Sequence, residues 1–256
     1  MKSYKTIKKV LLPLVLISLC FLQCSKSSDS SFSAAAQTTG AGGSLARFAI
    51  AGNYLYSVDE EQLKVFDISD AGNPTLKQTV TIGFAIETIY PFKDKLFIGS
   101  TSQVYIYSIT DPVNPQKLAS AVSPQILRRC DPVVAKDTVA FATLRTNAEC
   151  GGLQSILAVY DIKDVTKPVQ KAIYPINEPY GLGYSNDVLY VCDRHEGLMV
   201  FDISKPYTPI HINSMKDGTY IDVIPYQNTL ICWVTTGMIL YDITNNRKPV
   251  LLGKII

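Results

Sequence analysis

Beyond its first forty or so residues the chain is a succession of short apolar runs separated by Asn, Asp, Gly, Pro and Ser. The runs are of strand length and are bounded by turn residues, and no stretch carries the spacing of an amphipathic helix. The clearest segment predicts strand a over 180–184, a turn at Asn186-Asp187, strand b over 188–192, a hairpin turn over 194–197, strand c over 198–203 and strand d over 210–214.

This unit recurs. Five phrases share one grammar: Val65-Phe66-Asp67-Ile68-Ser69, Ile106-Tyr107-Ser108-Ile109-Thr110, Val159-Tyr160-Asp161-Ile162-Lys163, Val200-Phe201-Asp202-Ile203-Ser204 and Leu240-Tyr241-Asp242-Ile243-Thr244. Each has Pro seven residues after its central position, at Pro74, Pro115, Pro168, Pro209 and Pro249. Upstream of each, Asn53, Asp94, Asp137, Asp187 or Asn228 opens another apolar run. The central residues are 41, 53, 41 and 40 apart. A period of about 40 to 45 with several strands per unit is the length of a propeller blade. The expectation is an all-β chain, a five-bladed β-propeller of four-stranded antiparallel blades over 44–256. The central Asp of each phrase is expected to accept backbone N–H bonds and close the c-to-d turn, with the upstream Asp or Asn acting likewise at the a-to-b turn. Because each unit begins with strand a and ends with strand d, no strand is exchanged between the ends. Closure is expected from packing of blade five on blade one, or from a strand added near Phe32.

The fourth unit, with Leu189-Tyr190-Val191-Cys192-Asp193, then Glu196-Gly197-Leu198-Met199-Val200-Phe201-Asp202-Ile203-Ser204, then Pro206 and Pro209, resembles the LVIVD-repeat family of bacterial β-propellers. The other units keep less of the pattern: Ser108 replaces Asp in the second, and Lys163 replaces Ser in the third. The resemblance implies a secreted or surface-anchored bacterial protein, and it assigns no activity.

The N-terminus has a different texture. Lys2, Lys5, Lys8 and Lys9 precede an apolar run over 10–22, about the length of a secretory signal core and short for a bilayer span. The run ends at Phe21-Leu22-Gln23-Cys24-Ser25, which resembles a lipoprotein lipobox with Gln23 in place of the usual small residue. Residues 1–23 are therefore expected to be a lipoprotein signal peptide and Cys24 the lipidated residue, with plain secretion or an uncleaved anchor as alternatives. Residues 24–43 are rich in Ser, Ala, Gly and Thr and read as a flexible tether. The expected address is the bacterial cell envelope, as an outer-membrane lipoprotein bound to the membrane through its lipid.

That processing changes the charge. Taking the four signal lysines from 24 basic residues leaves 20 against 22 acidic ones, so the net charge of +2 falls to −2. With no basic block in the mature chain, nucleic acid is not an expected partner.

Catalytic chemistry is sparse. Cys130 opens blade three and Cys150 sits in that blade's insertion; a disulfide between them is expected outside the cytoplasm. Cys192 and Cys232 fall in strand b of successive blades and read as buried thiols, a mutual bond being the lesser alternative. With His195 and His211 the only histidines and no paired-cysteine spacing, no metal or other cofactor is expected. Asp193-Arg194-His195-Glu196 has residues for acid–base work, yet it occupies a hairpin turn that needs polar residues anyway.

A binding surface fits better. In a propeller the starts of strands a and the b-to-c hairpins share one face, which would gather Arg47, Glu87, Arg128, Arg129, Arg145, Tyr180, Arg194, His195, Tyr220 and Trp233. Arg and aromatic side chains are common interface anchors. The expected function is a binding module for a protein or glycan partner. The alternatives are a carbohydrate-active enzyme with carboxylates at the channel mouth and a purely structural envelope lipoprotein.

Overall fold

A computed structural model describes residues 43–101, 103–122, 132–146 and 154–255. The signal, tether and lipidation expectations, with Cys24, Phe32, Arg128, Arg129, Cys130 and Cys150, lie outside those residues.

Twenty strands form five four-stranded antiparallel meanders. Blade one holds β1 (Phe48–Ala51), β2 (Tyr54–Val58), β3 (Gln62–Asp67) and β4 (Thr75–Thr81). Blade two holds β5 (Ile86–Phe92), β6 (Lys95–Ser100), β7 (Gln103–Ser108) and β8 (Gln116–Val122). Blade three holds β9 (Val133–Lys136), β10 (Val139–Leu144), β11 (Ile156–Asp161) and β12 (Val169–Pro175). Blade four holds β13 (Pro179–Ser185), β14 (Val188–Asp193), β15 (Gly197–Asp202) and β16 (Ile210–Met215). Blade five holds β17 (Tyr220–Tyr226), β18 (Thr229–Val234), β19 (Gly237–Asp242) and β20 (Val250–Ile255). The fold is a five-bladed all-β propeller, and the strands expected in the fourth unit match within a residue or so at each end.

The repeated phrase works through its turn. The side chains of Asp67, Asp161, Asp202 and Asp242 accept the backbone N–H two residues on, at 2.7 to 3.0 Å, and Ser108 Oγ accepts from Thr110 N at 3.3 Å. Arg247, 2.6 Å from Asp202, and the N–H of Ser204 hold the Asp202 carboxyl at about 2. In every blade the repeated Pro directly precedes strand d, where its missing N–H removes no ladder bond. Each c–d pair is also bulged just before the repeated aromatic, for example between Val200 and Phe201. The bulge bends strand d and adds twist.

The a-to-b turn differs from expectation. There the upstream residue contributes its main-chain carbonyl, which accepts from the Ile of the phrase: Asn53 from Ile68, Asp94 from Ile109, Asp187 from Ile203 and Asn228 from Ile243, all at 2.8 to 2.9 Å. In blade three the acceptor is Thr138 rather than Asp137. Asp137 instead takes the first turn position at φ 53°, where Lys93, Asn186 and Gln227 also have positive φ. Backbone geometry sets this contact, so any side chain that tolerates the turn suffices.

Blades pack face to face. Four apolar clusters join blades one to two, two to three, three to four and four to five. Each interior blade therefore has a leading face on the preceding blade and a trailing face on the next. Tyrosine hydroxyls add polar locks: Tyr56 donates to the Pro112 carbonyl at 2.9 Å and Tyr190 to the Asn246 carbonyl at 2.7 Å.

Among the described residues no apolar cluster joins blade five to blade one, so the first of the two expected closures is not the one seen; the second, a strand added near Phe32, lies outside those residues. Blade one carries half-buried Ser57 and Lys64 at leading-face positions where blade four carries buried Val191 and Met199. The ends are linked by a strap instead. Residues 43–46 run across the inner strands, where Ser44 and Leu45 bond Asp222 of β17, Ser44 accepts from Leu182 N of β13, and Ala46 O accepts from Ile89 N of β5.

Candidate functional site between blades three and four

The site is built on Asp193, the last residue of β14. Wholly buried, its Oδ1 accepts from His195 N (2.9 Å) and Glu196 N (2.8 Å), and its Oδ2 from Asn177 N (3.1 Å) and Glu178 N (2.9 Å). One carboxylate thus fastens the b-to-c hairpin to the loop entering β13. Gly197 finishes the hairpin at φ 81°, a conformation that suits glycine.

The two segments so joined bring a second carboxylate into a cationic setting. Glu178 Oε1 is 3.2 Å from Arg194 Nη1 and accepts from Tyr180 OH at 3.1 Å, while Oε2 is 3.3 Å from His195 Nε2. Partial burial raises the Glu178 acid, but Arg194 and Tyr180 outweigh it and hold the group below its usual value. From blade three, the Arg145 guanidinium lies over the Tyr180 ring at 4.0 Å from its centroid. Arg145 Nε is buried without a hydrogen-bond acceptor. Next to this group Thr146, Gln154, Ser155, Asn177, Glu196 and Met199 line a cleft of about 370 Å³ between the two blades.

Such an arrangement suits recognition. Stacked Arg–Tyr and exposed Arg and His present donors and a flat apolar surface together. A carboxylate kept ionised by its neighbours is a weak base and no acid at neutral pH. No group of three metal-ligating side chains occurs among the described residues.

The structure gathers Arg145, Tyr180, Arg194 and His195 here; Arg128 and Arg129 lie outside the described residues, and Arg47, Glu87, Tyr220 and Trp233 are placed elsewhere. Arg47 donates to the carbonyls of Ile86 and Glu87, at 3.0 and 3.3 Å, so it braces blade one against blade two. Glu87 is half-buried on β5. Tyr220, expected on the face, is fully buried and hydrogen-bonded to Tyr241, because the start of β17 turns its ring into the interface with blade four. Trp233 is exposed, but on the flank of the blade-five sheet rather than in a loop. Sequence reasoning missed Glu178 and Asp222. Asp222 carried a readable signal: a carboxylate inside the apolar strand Tyr-Ile-Asp-Val-Ile. The strap covers this inner-strand acid, which is buried to 7% exposure.

The LVIVD repeat profile matches residues 42–82 and 184–217, the spans of blade one and most of blade four. The chain carries LVIVD repeats. Sequence comparison with curated proteins gives no match. Solved propellers resemble this chain in fold. A Lactobacillus plantarum protein aligns at 19% identity and TM-score 0.63, over 80% of this chain and 73% of its own. The periplasmic gluconolactonase of Pseudomonas aeruginosa aligns at 13% identity and TM-score 0.60, over 80% and 67%. BamB from Moraxella catarrhalis aligns at 8% identity and TM-score 0.51, over 81% of this chain and 62% of its own, so this chain spans under two thirds of BamB.

Proposed function

We propose that this LVIVD propeller is an exported, lipid-anchored binding module of the bacterial cell envelope that holds a protein or glycan partner at the blade three–blade four face. The observation that carries the reading is the Glu178 hub, where Arg194, His195 and Tyr180 converge beside a stacked Arg145. Its supports are rigid: Asp193 bonds four backbone N–H groups, so little conformational entropy remains to be lost on binding. Cys24 supplies the anchor and residues 25–43 the reach. The named periplasmic neighbour agrees with an envelope address.

The test is binding of the full chain to glycan panels and to envelope proteins captured by cross-linking in cells. Saturable binding that weakens at least about tenfold in Arg145→Ala and Arg194→Ala supports the module. Turnover of a glycan or lactone, lost in Glu178→Gln, would replace it with an enzyme. Loss of envelope integrity on deletion, without binding or turnover, would replace it with a structural role. Fatty-acid labelling that persists in Cys24→Ala would remove the anchor.

A further inference from the structure

Blade five ends in a face built for a blade. On the trailing faces of blades one to four, the third residue of strand b is Tyr56, Phe97, Phe141 or Tyr190, each no more than 1% exposed. The second residue of strand c there is Leu63, Val104, Leu157 or Leu198, none above 6%. Blade five keeps the apolar character of this face with Ile231, Trp233, Met238 and Leu240, yet Trp233 is 53% and Met238 47% exposed, and the other two are only partly covered. A terminal repeat that faces water carries polar residues on its outer side, and these four positions carry none. Among the described residues one leading face has no blade upon it, that of blade one, where Phe48 is 60% and Ile50 38% exposed.

We infer that the trailing face of blade five docks on the leading face of blade one in a second copy of this chain. All four blade junctions within the chain are trailing-to-leading, so the proposed contact continues an interface the molecule already makes. The charge balance permits it. The blade-five residues are uncharged, and Lys64 on the blade-one face is already paired with Asp59 at 2.8 Å, so no bare cation is buried. Among the described residues closure within one chain is not the arrangement seen: the strap ties blade one to blades two, four and five at the axis while both flanks stay exposed. Contact of two different faces is heterologous and adds copies head to tail.

Trp233 is the only tryptophan, so it reports the contact directly. Light scattering of the purified full chain should show mass rising with concentration, while Trp emission shifts to the blue and iodide quenching falls. Met238→Asp keeps the reporter and Phe48→Asp alters the opposite face; both sites are exposed, and unchanged far-ultraviolet dichroism checks the fold. Each variant alone should associate about thirtyfold more weakly, the loss of roughly 2 kcal/mol typical of an anchor. An equimolar mixture should form a one-to-one pair, because one variant retains an intact trailing face and the other an intact leading face. A monomer at every concentration overturns the inference, whether its Trp is quenchable or already shielded by closure within one chain. Association unaffected by Met238→Asp, or two monomeric variants that fail to pair, also overturns it.

Discussion

Ser44 Oγ and the Asp222 carboxylate lie 3.2 Å apart across 178 residues of chain, the polar clasp between the strap and blade five. The same hydroxyl accepts from Leu182 N at 2.7 Å, so Ser44 serves two blades at once. Ser44→Ala leaves that buried N–H without its acceptor. Stability should fall by about 1–3 kcal/mol, seen as a lower denaturant midpoint with an unchanged slope.

Acid should act on this clasp in an unusual direction. Burial pushes the Asp222 carboxyl up from 3.8 to about 6, against the opposing bonds from Val223 N, Leu45 N and Ser44. Between those values the folded chain keeps a proton that the unfolded chain releases, so this group's contribution to stability declines as pH rises through the window. Two pKa units correspond to about 3 kcal/mol at most. Denaturation of wild type and Asp222→Asn across pH 4 to 7 should show wild type losing ground to the variant toward neutrality. A constant difference would refute the buried-acid account. Asp59 and Asp202, both held at about 2, act the other way: their contribution is present above the ordinary carboxyl value and is lost only as pH falls toward 2.

Gly181 sits where β13 meets Asp222. A Cβ there would meet the Asp222 side chain and come within 2.9 Å of its Cα, which is main chain and cannot swing aside. Gly181→Ala should cost about 1–3 kcal/mol. Gly253→Ala, whose Cβ would meet nothing within 4 Å, should stay within about 0.5 kcal/mol of wild type and serves as the control.

The tyrosine locks can be removed without opening a cavity. Tyr190→Phe loses the bond to the Asn246 carbonyl and Tyr56→Phe the bond to the Pro112 carbonyl, while each ring stays packed. Each should lower stability by about 1 kcal/mol. Because the two pairs are far apart in the ring, their effects should add in the double variant.

Cys192 and Cys232 are buried and unbonded, and burial pushes both thiols well above their usual value. Alkylation of the native chain at mildly alkaline pH, mapped by mass spectrometry, should spare both; unfolding should expose both together. Rapid modification of either in the folded chain would contradict the packing of blades four and five.

Much of the fold is legible in the sequence. The c-to-d turn could be read from the phrase because Asp67, Asp161, Asp202 and Asp242 act on an N–H only two residues away. Strand limits in blade four could be read because Asn186, Gly197 and Pro209 mark turns by their own backbone restrictions. The a-to-b turn was misread because the contact belongs to a carbonyl, which every residue owns. Tyr220 escapes the sequence reading because its ring turns into the interface with blade four, and a one-residue difference in register reverses the face.

What the amino-acid order determined unaided is the local grammar: short apolar runs of strand length, turn residues at fixed offsets, and a unit length that yields five sheets. Only the tertiary arrangement decided the strap over Asp222, the stacking of Arg145 on Tyr180, and the open flanks at Trp233 and Phe48. These depend on pairs from different blades, and their energies come from burial and charge at distances that no single repeat encodes.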